Sequence, residues 1–270
     1  MTLVQGLVIT LCVVVASIFG LLFARRWLDK HHPELKTQHD ITDPYSQFVA
    51  MLFAVLLGFM VADSMQRFAN ARETVQQEAS ALANVFRLAE GLPEKNLEQL
   101  RDLCTEYAYE VVNDEWPMLA LHKDSPKAWV IYRKLWTATT TYEPVTQRQN
   151  NTQAALMTTM ETLGEARRLR VEALHSGLPI QLWVVLILGG TATIFFTYLF
   201  AAENLKIQVI MVSMVSLVIC LNLFLLATYD DPFNGDVRVT PSAFETQLNL
   251  FKLEHEAPLD LSIQSKQSPK

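Results

Sequence analysis

Three cysteines in 270 residues, Cys12, Cys104 and Cys220, are too few and too scattered for a disulfide framework, and their spacing offers no metal site. Packing as small apolar residues is the role that suits all three. Basic residues do not dominate: 22 Lys and Arg stand against 28 Asp and Glu, a net charge of −6, which argues against nucleic acid as a partner. No P-loop, dinucleotide fingerprint, H-E-x-x-H or G-x-S-x-G occurs, so an enzyme reading has no residues to stand on and no cofactor is implied. His31, His32, His39 and Asp40 form the one histidine-rich stretch, but adjacent histidines point apart and a surface loop is expected there. Glu203 and Lys206 read as solvated ends of a tight turn. Proline is missing from Tyr45 through Leu92, which excludes the commonest cause of a helix break over that whole stretch.

Hydrophobic residues make up half of the chain, and its mean hydropathy is +0.17. They are concentrated in runs. Leu3–Ala24 carries no charge; it is too long for the apolar core of a signal peptide and has no basic start, so it reads as a retained membrane helix. Further runs cover Phe48–Ala62 (Pro44–Asp63 with its flanks), Ile180–Ala202 and Ile207–Thr228. About 20 apolar residues cross the roughly 30 Å of hydrocarbon in a bilayer, so four spans are predicted, with lipid as the first partner. The organisation that follows is spans one and two in residues 1–63, a helical block at 64–178, spans three and four at 179–228, and a tail at 229–270.

The block is rich in Ala, Glu, Gln, Leu and Arg, which favour helix, and shows no strand-like alternation. The predicted fold is therefore an all-α membrane protein. Span two runs on as helix to Gly91-Leu92-Pro93. A second piece runs from Glu94 to Trp116, before Pro117. A third is opened by Ser125-Pro126 and runs to about Tyr142. The last covers Thr146–His175 with Leu156, Met160, Leu163, Ala166 and Leu174 on one face, and Gly177 and Pro179 suit its C-terminal stop. Trp116, Trp129 and Trp136, with Tyr107, Tyr132 and Tyr142, read as packing or interface aromatics. Orientation stays open, because basic residues flank both span one (Arg25, Arg26, Lys30, Lys36) and the block (Arg67, Arg72, Arg167, Arg168, Arg170).

Two stripes mark span two. Small residues recur every fourth position at Ala50, Ala54, Gly58 and Ala62, letting another backbone approach, either within the chain or from a second copy. Next to them lie Met51, Val55 and Phe59, one bulky apolar side chain per turn. Below come Asp63, Gln66, Asn70 and Glu73 on a similar line. A helix facing lipid has no reason to continue an apolar stripe with acids and amides, whereas one lining a watery axis would join a dewetting constriction to a polar vestibule. For Asp63 the simpler alternative is that it marks where headgroups begin.

The string LGFMVADSMQRFANARE, Leu57 to Glu73, resembles the second-span signature of bestrophin ion channels through Leu57, Gly58, Phe59, Val61, Arg67 and Glu73, with Phe68 where a tryptophan would stand. DDPFNGD, comprising Asp230, Asp231, Pro232, Phe233, Asn234, Gly235 and Asp236, is similar to the stretch that follows the last span in that family. With the QEASAL run at Gln77–Leu82, the chain resembles still more the bacterial bestrophin-like proteins of the DUF4239 group. The resemblance implies a homopentamer around one pore lined by span two, with Met51, Val55 and Phe59 at its neck, and termini and helical block in the cytoplasm. It departs from the family after Arg67, where the paired tryptophans are Phe68 and Ala69, and after Asp236, where VRVTPSAFE replaces the acidic run that binds calcium. Calcium gating is therefore not expected, and an EF-hand loop is excluded because its twelfth position would be Pro241. A tight turn at Pro232–Gly235 is expected instead.

The expectation is a homo-oligomeric channel in the bacterial inner membrane that passes small inorganic ions. A non-conducting signalling or scaffold protein anchored by its spans is the alternative, and a transporter subunit needing another chain is a second one.

Overall fold

The computed structural model describes residues 2–31, 39–199 and 204–256. Among them there is no strand, and four helices are long and apolar enough to cross a membrane. The chain divides into two compact units, Met1–Ala69 with Ser176–Arg238, and Asn70–His175 with Val239–Lys270.

The first unit contains α1 (Leu3–His31), the first part of α2 (His39–Leu88), α7 (Ile180–Leu199) and α8 (Leu205–Tyr229). α2 starts at His39, earlier than the apolar run suggests. The unit's core is Phe53, Leu57, Leu178, Leu186, Ile219 and Leu226. The two tightest approaches at glycine in this unit are made by rings. A Cβ on Gly6 would lie 2.0 Å from the Phe224 ring, and one on Gly189 would lie 2.6 Å from the Phe53 ring. Hydroxyls within the spans bond to their own helices: Thr10, Ser17, Thr193, Ser213 and Thr228 each donate to the carbonyl four residues back. That is how a polar side chain is accommodated where no water is available. Asn204 caps α8, its Oδ1 accepting from Lys206 N–H at 3.0 Å. His31 ends α1 with its ring 5.5 Å from that of Trp27; His32, Glu203 and the side chains of His39 and Asp40 lie outside the described residues.

The second unit contains the rest of α2, α3 (Glu94–Glu110), α4 (Trp116–Leu119), α5 (Pro126–Thr140), α6 (Gln147–Glu172) and α9 (Ser242–Glu256). The predicted starts are all there. Glu94 opens α3, Ser125 Oγ accepts from Ala128 N–H above Pro126, and Thr146 forms a capping box with Gln149. Leu156, Met160, Leu163, Ala166 and Leu174 are all buried.

Three features differ from the sequence reading. The helix begun at Glu94 does not stop at Trp116: a π turn, Val111–Glu115, links α3 to α4, and Pro117 sits in the first turn of α4, where its missing N–H costs no bond. α6 closes through a 3₁₀ turn at Ala173–His175, and Gly177 is not in the left-handed region that the expected stop would use. The tail also holds a full helix: α9 buries Phe244, Leu248 and Phe251, with Phe251 stacked on Phe86 at 4.1 Å.

Candidate functional site

At 100° per residue, the buried face of α2 in the first unit is set by Phe53, Leu57 and Ser64. Met51, Val55 and Phe59 lie on average about 180° from that face. Their relative exposures are 68%, 50% and 66%. A bulky stripe turned directly away from the bundle's own core is left uncovered by the described residues. The small residues flank it. Ala54, Gly58 and Ala62 are exposed, Ala50 is half-buried, and nothing lies within 4 Å of a Cβ built on Gly58. Close packing at Gly58 therefore does not occur among the described residues. An apolar groove of about 410 Å³ opens beside this stripe, between Ala50, Ala54 and Gly58 of α2 and Met214, Val218 and Asn222 of α8.

One turn on from Phe59, Asp63 is exposed, and Gln66 is exposed with it. Arg67 stands between the exposed and buried faces. Its Nη1 donates to the Ser176 carbonyl and its Nη2 to Ser64 Oγ at 2.9 Å, where Ser64 is fully buried. Nε lies 3.2 Å from Asp63 Oδ2, a charge contact without the alignment of a hydrogen bond. Nη2 is also 3.7 Å from Asp230 Oδ1. Asp230 accepts from Leu178 N–H at 2.7 Å and Trp183 Nε1–H at 3.3 Å, tying the end of α8 to the start of α7.

The motif after α8 forms the expected tight turn. Phe233 is buried, its N–H donates to Asp231 Oδ1 at 3.2 Å, and Gly235 has φ of 97°, which favours glycine. Asp236 turns back to the start of the chain, where Leu3 N–H donates to its Oδ2 at 2.6 Å. Among the described residues no group of three or more His, Cys, Asp or Glu is placed to hold a metal.

In the second unit Asn70 and Glu73 are exposed on α2, and Gln77 Nε2 donates to Glu73 Oε1 at 3.4 Å. That unit also holds a site the sequence reading missed. Arg170 Nε donates to Glu78 Oε2 at 2.6 Å and its Nη2 to Glu115 Oε2 at 2.7 Å; Arg167 grips Glu115 at 2.8 and 3.0 Å; Tyr107 Oη donates to Glu78 Oε1 at 2.5 Å. All five residues are buried, so two acids and two bases neutralise one another in the core. Burial alone would raise the Glu115 carboxyl, but Arg170 and Arg167 outweigh it and hold the group below the usual carboxylate range. Nearby, burial pushes the Cys104 thiol far above its ordinary value, leaving it a packing residue. Only Arg spacing at positions 167 and 170 hinted at this network, because its partners, Glu78 and Glu115, come from distant elements.

The model of the bestrophin-like domain family matches residues 11–244 of the sequence. No curated protein matches it. Among solved structures, a point variant of a bacterial bestrophin homologue from Klebsiella pneumoniae superposes with a TM-score of 0.70 at 12% identity, over 90% of this chain and 98% of that one. A second structure of a homologue from that organism gives 0.66 at 13% identity over 91% and 96%. A variant described only as a membrane protein gives 0.67 at 14% identity over 92% and 97%.

Proposed function

Because the chain belongs to the bestrophin-like domain family, we propose that copies of it assemble as a ring, most simply a pentamer, that passes small ions across the bacterial inner membrane. The observation that carries this reading is the exposed stripe Met51, Val55 and Phe59, set opposite the bundle's own packing face. Around a symmetry axis the stripe forms an apolar neck that governs passage by wetting. Asp63 and Gln66 follow it at the cytoplasmic end, with Asn70 and Glu73 on the part of α2 that belongs to the helical unit. The termini and the helical unit lie in the cytoplasm in this reading.

Flux through liposomes holding the purified protein tests the proposal. The wild type is expected to pass monovalent ions, and Phe59→Ala to raise the flux severalfold by widening the neck. A wild type that passes none, together with a silent Phe59→Ala, sinks it. The small stripe gives a separate check. Gly58→Leu meets open space among the described residues, so each copy folds, but the added side chain holds a neighbouring helix off. Native mass spectrometry is expected to show the ring dissociating to smaller species; an unchanged ring removes Gly58 from the interface.

A non-conducting scaffold is favoured by one observation only, the exposed Tyr109, Leu121 and Trp129 of the helical unit. An electron-microscopy map decides between the two: an axial hole lined by α2 supports the channel, and close-packed spans support the scaffold.

A further inference from the structure

Asp63 alone looks like the acid that would attract cations at the end of the neck, but it does not act alone. The Arg67 guanidinium is fixed from the bundle side by Ser176 O and the buried Ser64 Oγ, and only its remaining edge reaches Asp63 at 3.2 Å. The same guanidinium lies 3.7 Å from Asp230, whose carboxylate is otherwise held by neutral donors, Leu178 N–H and Trp183 Nε1–H. Three ionised groups thus share one node: two carboxylates and one guanidinium, with a net charge of −1. The Asp63 side chain is 56% exposed, whereas those of Arg67 and Asp230 are 24% and 20% exposed. The exposed acid is therefore backed by a partly shielded, immobile positive charge.

We infer that Asp63, Arg67 and Asp230 act as a single electrostatic unit that sets a modest cation preference at the polar end of the neck, with Arg67 the residue that limits it. This rests on the channel reading. Each copy contributes one net negative charge to the ring, where a bare Asp63 with a distant, purely structural Arg67 would leave the preference independent of position 67. A neutral residue at 67 leaves two carboxylates uncompensated and strengthens the preference. Removing Asp63 and Arg67 together returns the node to −1 and restores it. Neutralising Asp230 weakens it, although Asp230 is not on α2 at all.

The test is the K⁺ over Cl⁻ permeability ratio, read from reversal potentials in a potassium chloride gradient. Arg67→Gln is expected to raise the ratio about fivefold, the scale of one charge acting at about 4 Å in water. Asp63→Asn and Asp230→Asn are each expected to lower it by a similar factor, and the Asp63→Asn/Arg67→Gln double variant, whose node again sums to −1, to return it to the wild-type value. Arg67→Lys, which keeps the charge but not the fork, is expected to keep the wild-type ratio while lowering the thermal midpoint. If Arg67→Gln does not assemble, Asp230→Asn, which preserves the shape of the side chain, carries the test. The inference is overturned if the wild type conducts, Asp63→Asn lowers the ratio, and neither Arg67→Gln nor Asp230→Asn changes it; then Asp63 acts alone and the channel reading still stands. A wild type that passes no ions overturns both.

Discussion

Arg170→Met is expected to cost about 3–5 kcal/mol of folding stability, the typical loss when one partner of a buried charge network is removed. The methionine roughly fills the space, so the cost comes from charge and not from a cavity. Glu78 would lose both of its guanidinium bonds and keep only the Tyr107 hydroxyl, and Glu115 would keep Arg167 and the Ser125 N–H. Two acids against one base would remain in a core from which Glu78 and Glu115 are fully shielded. Thermal unfolding of the detergent-solubilised protein, followed by circular dichroism, measures the loss; a shift within error of wild type would mean that the network contributes nothing net. The pH dependence has a defined sign. Glu115 is held below its usual range in the folded protein, so its contribution is present above the unfolded carboxylate range and is lost as pH falls through the folded value. Wild type should therefore lose stability in acid. In Arg170→Met, Glu115 has less to lose, and protonation relieves the surplus negative charge, so the gap between the two proteins should narrow as pH falls.

The second large effect is at Phe244. This fully buried ring of α9 lies 6.4 Å from the rings of both Tyr107 and Trp116, whose indole N–H donates to the Val239 carbonyl. Phe244→Ala is expected to cost about 3–5 kcal/mol, the usual range for deleting a core aromatic. Because α9 is the last described helix and holds on by Phe244, Leu248 and Phe251, the loss should also appear locally. Limited proteolysis is expected to cut the variant near residues 239–256 well before wild type. Equal cleavage of the two would show that α9 is held by other contacts.

The spans, the helical block and most helix starts were legible in the sequence because their causes are local. Apolar run length marks a membrane helix, and Ser125-Pro126 and Thr146 with Gln149 are caps written within four residues. The exposed stripe at Met51, Val55 and Phe59 was legible as a period, but its direction depended on where Phe53 and Leu57 found partners on α7 and α8. The buried network was not legible, because Glu78, Glu115 and Arg170 look like ordinary solvated charges until three helices meet. α9 was hidden for a related reason. Its apolar residues Phe244, Leu248 and Phe251 are only three among polar neighbours, and what makes them a helix face is the surface of Phe86, Tyr107 and Trp116. Pro117 misled in the opposite direction, since the π turn before it removes the conflict that a proline normally brings to a helix.

That π turn has a consequence for how this chain can change length. Val111–Glu115 holds one residue more than a regular helix of the same rise would, an insertion absorbed without a loop. Deleting any one residue of Val111-Val112-Asn113-Asp114 would let the turn relax to ordinary helix and keep the residues on either side in nearly the same phase, because a π turn absorbs its extra residue without rotating its flanks. Glu115 would stay beside Arg167 and Arg170, and Trp116 beside the ring of Phe244. Single-residue deletions at 111–114 should therefore be among the length changes that the helical unit tolerates with its buried acids and bases intact, whereas a deletion inside α3 would carry Glu115 and Trp116 about 100° from their partners.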